Sequence, residues 1–260
     1  MLLRKPRVCV LKAKGINCDE ETAYAFSIAG ADAQVVHINE LRYGRVALRD
    51  FDIVVIPGGF SNGDDVAAGK ILAIDLMAFL KDELLALIER GGLILGICNG
   101  FQVIEQAGLF ALGKPRERVL TMNASGHFEH RWVRMRVEKT ACPFTSAFEP
   151  GSIITLPVAN GEGKYWASDE VLGQLNSSGG VVLRYVDDEG LATRHYPENP
   201  NDSLSAIAGV YDPITAQVFA LMPHPERFVT KTQHPNWRRA AIEPFGLKIF
   251  ESAVKYAASL

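Results

Sequence analysis

The sequence predicts an α/β fold: an open, mostly parallel sheet with helices on both faces, and antiparallel β additions in the second half. Three observations carry this. Short apolar strands alternate with helical patterns over residues 7–108, and such alternation asks for parallel strands joined by right-handed crossovers. One of those strands, Asp52-Ile53-Val54-Val55-Ile56, is apolar and β-branched without alternation, as a strand buried on both faces should be. Beyond it, Ser205 to Tyr211 and Gln217 to Leu221 read as two strands separated only by Asp212-Pro213-Ile214-Thr215, a connection too short for a crossover.

The first strand is Arg7-Val8-Cys9-Val10-Leu11-Lys12-Ala13. Asn17 follows as a helix N-cap, with Glu20 three residues on as in a capping box and acids in the first turn. That helix runs through Ala23, Phe26 and Ile28 to Gly30, and Ala33 to Ile38 is the second strand. The third ends in Pro57-Gly58-Gly59-Phe60-Ser61. A glycine pair there suits either a plain tight turn or close approach of backbone to a ligand at the sheet edge where open α/β folds bind. Residues 64–90 hold two helical patterns, with Leu72, Leu76, Phe79, Leu80, Leu84, Leu87 and Ile88 as their core face.

The fourth strand, residues 92–98, leads into Gly96-Ile97-Cys98-Asn99-Gly100-Phe101-Gln102 and a helix to about Gly108. Gly-x-Cys-x-Gly between a strand and a helix has the spacing of a nucleophile elbow, with Cys in place of Ser. A sharp strand-to-helix turn needs small neighbours two residues away, which Gly96 and Gly100 supply. It also puts Cys98 at a helix N-terminus, where the dipole favours thiolate. A buried structural cysteine between turn glycines fits the same residues.

Next comes Asn123-Ala124-Ser125-Gly126-His127-Phe128-Glu129, then Arg131 to Val137, whose alternation reads as a strand with one wet face. His127, Glu129 and His130 do not make a ligand set of three or four, and no metal is expected. Ser152 to Val158 and Val181 to Val186 are further strands, the latter ending in a hairpin-like turn at Asp187-Asp188-Glu189-Gly190. Met222-Pro223-His224-Pro225-Glu226-Arg227 closes the β region. In extended backbone, His224 and Glu226 point to the same side. A carboxylate behind an imidazole is the general-base arrangement, although a loop histidine beside a solvated glutamate reads the same way. Lys231, Arg238 and Arg239 around Trp237 read as a solvated face, and Pro244 to Ala258 as a closing helix.

Composition excludes several classes. The 260 residues are 48% hydrophobic and 22% charged with net charge −3, which gives no reason to invoke nucleic acid or an anionic membrane. Cys9, Cys18, Cys98 and Cys142 are too irregularly spaced for a disulfide framework. No apolar h-region follows Arg4, Lys5 and Arg7, and no apolar run reaches the ~18 residues of a spanning helix. The expected setting is a reducing cytoplasm. No linker or repeat cuts the chain, so one domain over 1–260 is expected.

Taken together, a cysteine elbow, a glycine-rich strand end and His-x-Glu make the sequence resemble a class I (triad) glutamine amidotransferase of flavodoxin-like fold. More closely, it is similar to the glutaminase subunits of phosphoribosylformylglycinamidine synthases. The matching stretches are Gly15-Ile16-Asn17-Cys18-Asp19, Pro57-Gly58-Gly59-Phe60-Ser61-Asn62-Gly63-Asp64, Gly96 to Gln102, Asn123-Ala124-Ser125 with Phe128-Glu129, Pro157 to Gly163, Ile207-Ala208-Gly209 and Met222 to Arg227. The Cys and His-Pro-Glu motifs carry the class. Ile-Cys-Asn-Gly-Phe-Gln and Gly-Glu-Gly carry the subgroup. Asn160 stands where that subgroup usually has His, and Ile16 where Ser is common. Segments 126–156 and 188–206 are longer than in its shortest members.

The resemblance implies Cys98, His224 and Glu226 as the catalytic triad, with Gly59 and Asn99 supplying the oxyanion hole. It also implies substrate contacts from Asn123, Ser125 and Phe128, and Gln102, one helical turn past Cys98, can face the same pocket. It implies glutamine as substrate, hydrolysed to glutamate and ammonia. The ammonia would pass to a synthetase subunit, with a small accessory subunit between. No cofactor is implied in this chain. ATP and Mg are expected on the synthetase, in keeping with the lack here of a Gly-x-x-x-x-Gly-Lys-Ser/Thr loop. An amidotransferase subunit of another pathway is the alternative. A non-catalytic regulatory protein on the same fold would be expected to lack a triad member.

Overall fold

The computed structural model describes residues 4–113, 117–239 and 241–260. Its first half runs β1 (Arg7–Lys12), α1 (Asp19–Ile28), β2 (Asp32–His37), α2 (Ile38–Arg42), β3 (Ile53–Ile56), α3 (Lys70–Phe79), α4 (Lys81–Glu89), β4 (Leu93–Ile97) and α5 (Asn99–Ala107). The second half runs β5 (Arg118–Thr121), β6 (Glu129–Val137), β7 (Ile153–Asn160), β8 (Lys164–Ala167), α6 (Asp169–Ser178), β9 (Val181–Tyr185), β10 (Ile207–Tyr211), β11 (Val218–Leu221) and α7 (Phe245–Ala257).

Nine strands form one sheet in the order β2-β1-β3-β4-β11-β10-β9-β6-β7, and β5 pairs with β8 in a separate antiparallel ribbon. From β2 to β11 neighbours are parallel, and from β11 to β7 they are antiparallel. The burial patterns explain the placement. Every residue of β3, β4 and β11 is buried, as the central position of uninterrupted apolar strands requires, whereas β2 buries only Val36 and lies at the edge.

The chain moves from β1 to β2 in one direction and from β3 to β4 in the other. Right-handed crossovers therefore put α1 and the α3–α4 pair on opposite faces. Consistent with this, α1 packs on α7 through Phe26 and Phe250, whose rings meet edge to face at 4.9 Å, while α3 packs on α5. The order of strands reverses between β1 and β3, so the crevice outside the carboxyl ends there is where this architecture places ligands. Registers Ile56↔Gly96 and Leu221↔Ile97 bring the ends of β3, β4 and β11 level.

Local expectations needed three adjustments. Helix α1 is capped by Cys18 without a side-chain bond, and Asn17 is not its cap. The N–H groups of Asn17 and Cys18 both point to Gly58 O, which delays helix entry by one residue. Phe79 is 43% exposed, because Arg42 stacks its guanidinium 4.0 Å over that ring. Strands β5 and β8, four residues each, are too short to show a period, and helix α6 is interrupted by Gly173 and ends in Asn-Ser-Ser, all poor helix formers, so none of the three was legible. No helix among the described residues is long and apolar enough to cross a membrane.

Helix α5 also holds a buried ion pair. Glu105 Oε2 lies 2.8 Å from Arg118 Nε of β5, with both side chains about 4% exposed. Burial pushes the Glu105 carboxyl up to about 7 against the pull of Arg118. The folded protein thus keeps that proton through a range where the unfolded chain has lost it. Its contribution to stability falls by on the order of 3 kcal/mol as pH rises from about 4.5 to about 7. Urea unfolding across that range should show the slope, and Glu105→Gln, which cannot titrate, should flatten it.

Candidate active site

The strand-to-helix turn after β4 is as sharp as its glycines suggest. Cys98 has φ 51° and ψ −105°, left-handed backbone for a residue with a side chain. A Cβ on Gly100 would lie 1.8 Å from Ile56 O, and one on Gly96 would lie 2.7 Å from Gly100 O. The turn is tied to β11 by the Cys98 N–H, which donates to Leu221 O at 2.8 Å. Phe101 and Gln102 donate their N–H groups to Cys98 O. The Asn99 N–H, at the first helical position, is one of the donors that a helix start leaves over.

His224 arrives from β11. Its N–H donates to Pro157 O of β7 at 2.8 Å, and residues Pro225–Arg227 form a 3-10 turn. His224 Nδ1 and Glu226 Oε1 are 2.6 Å apart, with both side chains buried. The pair meets through that turn and not through the extended backbone expected from the flanking prolines. Burial alone would pull the imidazole below its usual range. The Glu226 charge opposes it most, Cys98 and Cys18 add to Glu226, and together they leave the ring holding its proton well above that range. Nε2 has no hydrogen-bond partner among the described residues.

Cys98 is 5% exposed and lines two cavities. The first, about 240 Å³, also has His224, Arg227 and Cys18 in its wall. The second, about 140 Å³, has Gln102, Asp64, Asn160 and Glu162. Gly59 and Phe128 line both. Gly59 has φ +145°, and a Cβ there would lie 2.8 Å from Asn17 N, Gly15 O and Ile16 Cα, so the strand end is pressed against residues 15–17. Phe128 is half exposed, and its ring lies 6.4 Å from that of Phe60 at the mouth.

The remaining residues singled out from sequence divide. Asn99 Oδ1 accepts from the Ser61 N–H at 3.1 Å, and its Nδ2 donates to Asp64 Oδ1 and Gln102 Oε1, each at 2.9 Å. Gln102 Nε2 donates to Glu162 O at 2.7 Å. Asn123 and Ser125 are in neither cavity wall. The Asn123 amide donates to His127 O and Asn160 O and accepts from the Gly163 N–H and Asn201 Nδ2. Ser125 Oγ donates to Glu129 Oε1 at 2.7 Å. Both residues brace the loop that presents Phe128.

Sequence reasoning assigned no role to Cys18, Arg227, Asp64 or Glu162. The Cys18 sulfur accepts from an Arg227 guanidinium nitrogen at 3.1 Å, and its thiol faces Asn17 Oδ1 at 3.3 Å. Burial pushes that thiol up to about 11, with His224 pulling the other way, so it stays neutral at physiological pH. Arg227 Nε is 3.0 Å from Glu21 Oε1 and 4.0 Å from Glu226 Oε1. Cys18, His224 and Glu226 each place one donor atom within 4.8 Å of the others. That set has the N, S and O donors of a zinc site, but Nδ1 and Oε1 already share their hydrogen bond and Arg227 sits on the sulfur.

Three comparisons bear on this arrangement. The description of the CobB/CobQ-like glutamine amidotransferase domain matches residues 5–257. The chain is 43% identical over 260 residues to the phosphoribosylformylglycinamidine synthase subunit PurQ of Dehalococcoides mccartyi, covering 98% of this chain and 99% of that one. It is 39% identical to the subunit of the same name from Methanococcus maripaludis, covering 96% and 97%. Among solved structures, PurLQS from Thermotoga maritima has a chain 36% identical to it, with TM-score 0.75 over 97% of this chain and 99% of that one.

Proposed function

The chain belongs to the CobB/CobQ-like glutamine amidotransferase family, and from that premise we propose that it is the glutaminase subunit of a phosphoribosylformylglycinamidine synthase. It releases ammonia from glutamine for a synthetase subunit in purine biosynthesis. The observation that carries the reading is the buried His224–Glu226 pair beside a cavity that Cys98 also lines.

In this reading the Cys98 thiolate attacks the carboxamide carbon of glutamine. The C–S bond forms as the carbonyl π pair moves to oxygen, and the Gly59 and Asn99 N–H groups take the developing oxyanion. Losing one such donor typically costs ~10²–10³ in rate. The tetrahedral species collapses with cleavage of the C–N bond. The His224 imidazolium gives its proton to the leaving nitrogen, and ammonia departs from a glutamyl thioester. Neutral His224 then draws a proton from water, which attacks the thioester, and glutamate leaves with the thiolate restored. Glu226 fixes the tautomer and offsets the imidazolium charge.

ATP chemistry belongs to the synthetase partner in this proposal. A small accessory subunit completes the complex, and the names of the similar proteins support that composition. A reducing cytoplasm is the setting we assign, where the four free cysteines remain thiols.

Glutamate release from glutamine is the measurement, by the chain alone and with its synthetase, ATP and nucleotide present. The expected result is release mainly in the complex. No release under either condition would sink the reading.

A further inference from the structure

We propose that Arg227 is a positioning residue for the proton transfers: it locks the turn that carries His224 and Glu226 to the loop that backs the Gly59 strand end. That role rests on the glutaminase reading and lies outside the triad.

The guanidinium makes three contacts, and two of them leave its own turn. Nε lies 3.0 Å from Glu21 Oε1 of α1, and a terminal nitrogen donates to Cys18 Sγ at 3.1 Å. The third is within the turn, where Nε stands 4.0 Å from Glu226 Oε1. Cys18 caps α1, and its N–H and that of Asn17 both point to Gly58 O. Gly59, next along, has no room for a Cβ against Asn17 and Ile16. One planar fork thus fixes the spacing between the ring that moves the proton and the strand end that faces the oxyanion. A guanidinium presents its donors in a rigid plane, which an ammonium on a flexible stem cannot reproduce.

Glu226 shows why the turn needs an outside hold. Its side chain is fully buried, Oε1 is spent on His224 Nδ1, and Oε2 has no hydrogen-bond partner among the described residues. Its ion pairs among those residues are with His224 and Arg227 alone. His224 loses its charge each time it gives its proton away, whereas a guanidinium keeps its own. Arg227 is therefore the cation that stays beside this buried carboxylate through both half-reactions, and a buried carboxylate stripped of its partner is costly. At 4.0 Å that contact is electrostatic and too long for a hydrogen bond, so Glu21 and Cys18 set where the charge sits.

The test measures kcat and KM for glutamine in the assembled complex and follows the His224 ring titration by NMR in the full chain. Arg227→Met should lower kcat about tenfold to a hundredfold and move KM less than about threefold, since a displaced proton carrier costs rate and not binding. Arg227→Lys keeps the charge without the fork and should recover only part of kcat. Glu21→Gln releases one anchor and should lower kcat by less. The ring titration carries the sign. Removing a like charge would by itself strengthen the imidazole's hold on its proton. Loss of position loosens the Glu226 contact, so the ring of Arg227→Met should titrate lower than in the wild type. A higher titration, full recovery by lysine or an unchanged kcat would each overturn the proposal. Synthesis from added ammonium salt shows that a variant is folded and assembled, and where Arg227→Met fails that check, Arg227→Lys and Glu21→Gln carry the test. A wild-type complex that releases no glutamate would remove the glutaminase reading, and the ring titration would still decide whether Arg227 holds the pair.

Discussion

Cys98→Ala should abolish glutamine-dependent synthesis by the assembled synthase while leaving synthesis from added ammonium salt intact. The substitution deletes one sulfur atom from a side chain that is 5% exposed. Apart from a long thiol contact from Cys98 Sγ to Ala159 O at 3.6 Å, the ties of this residue are backbone: Cys98 N–H to Leu221 O, and Phe101 and Gln102 N–H to Cys98 O. Alanine keeps each backbone tie and loses only the thiol contact, so the fold and the surface offered to a partner persist. What disappears is the only atom in this reading that forms a covalent bond to substrate. The glutaminase rate should fall by at least about 10⁴, as removal of a covalent nucleophile typically costs. The two rates are read in one assay with either nitrogen source. Loss of the ammonia-dependent rate as well would mean that assembly had failed or that the role is misassigned.

Glu226→Gln should lower the glutaminase rate by about 10²–10⁴ with little change in KM. The glutamine amide fills the same volume beside His224 Nδ1 but brings no charge. In the wild type, burial opposes the imidazolium, and the Glu226 carboxylate is the largest of the contributions that together offset it, with Cys98 and Cys18 supplying the rest. Without the carboxylate the largest contribution favouring the proton is gone, and burial pulls the ring's proton affinity down against Cys98 and Cys18 only. The proton that the leaving nitrogen needs is then held less firmly. The sign also shows in stability. A histidine whose proton is held above the unfolded value stabilises the fold fully below ~6.5, and that gain fades as pH rises toward its folded value. The variant should therefore lose more stability relative to wild type at pH 5.5 than at pH 9. Titration of the His224 ring by NMR in both proteins checks the cause directly. An unchanged ring titration would remove Glu226 from this role.

Much of the site was readable because its geometry is local. A turn that brings residue 100 within 1.8 Å of Ile56 O for any added Cβ can be built only with glycine there, and Gly-x-Cys-x-Gly states that requirement in five residues. His224 and Glu226 are two apart, so their meeting needed only a short-range conformation, although the 3-10 turn replaced the extended one. Asn123 and Ser125 were legible only through the resemblance and not through any local geometry. They lie in the stretch that reaches the site, where Asn123 ties it to Asn160, Gly163 and Asn201 and Ser125 bonds Glu129, while the exposed ring of Phe128 borders the cavities.

The sequence by itself determined the parallel half of the sheet, the strained cysteine at a strand end and the histidine–carboxylate pair. Each is written in residues a few positions apart, where propensity and spacing decide the conformation. Tertiary structure alone decided that Cys18 meets Arg227 across 209 residues, that Asp64 and Glu162 share one cavity, and that Asn160 faces it with an unmatched donor. Those contacts come from strands β1, β3, β4, β7 and β11 ending at a common edge. That alignment is set by burial of the whole sheet, and no single segment carries a signal for it.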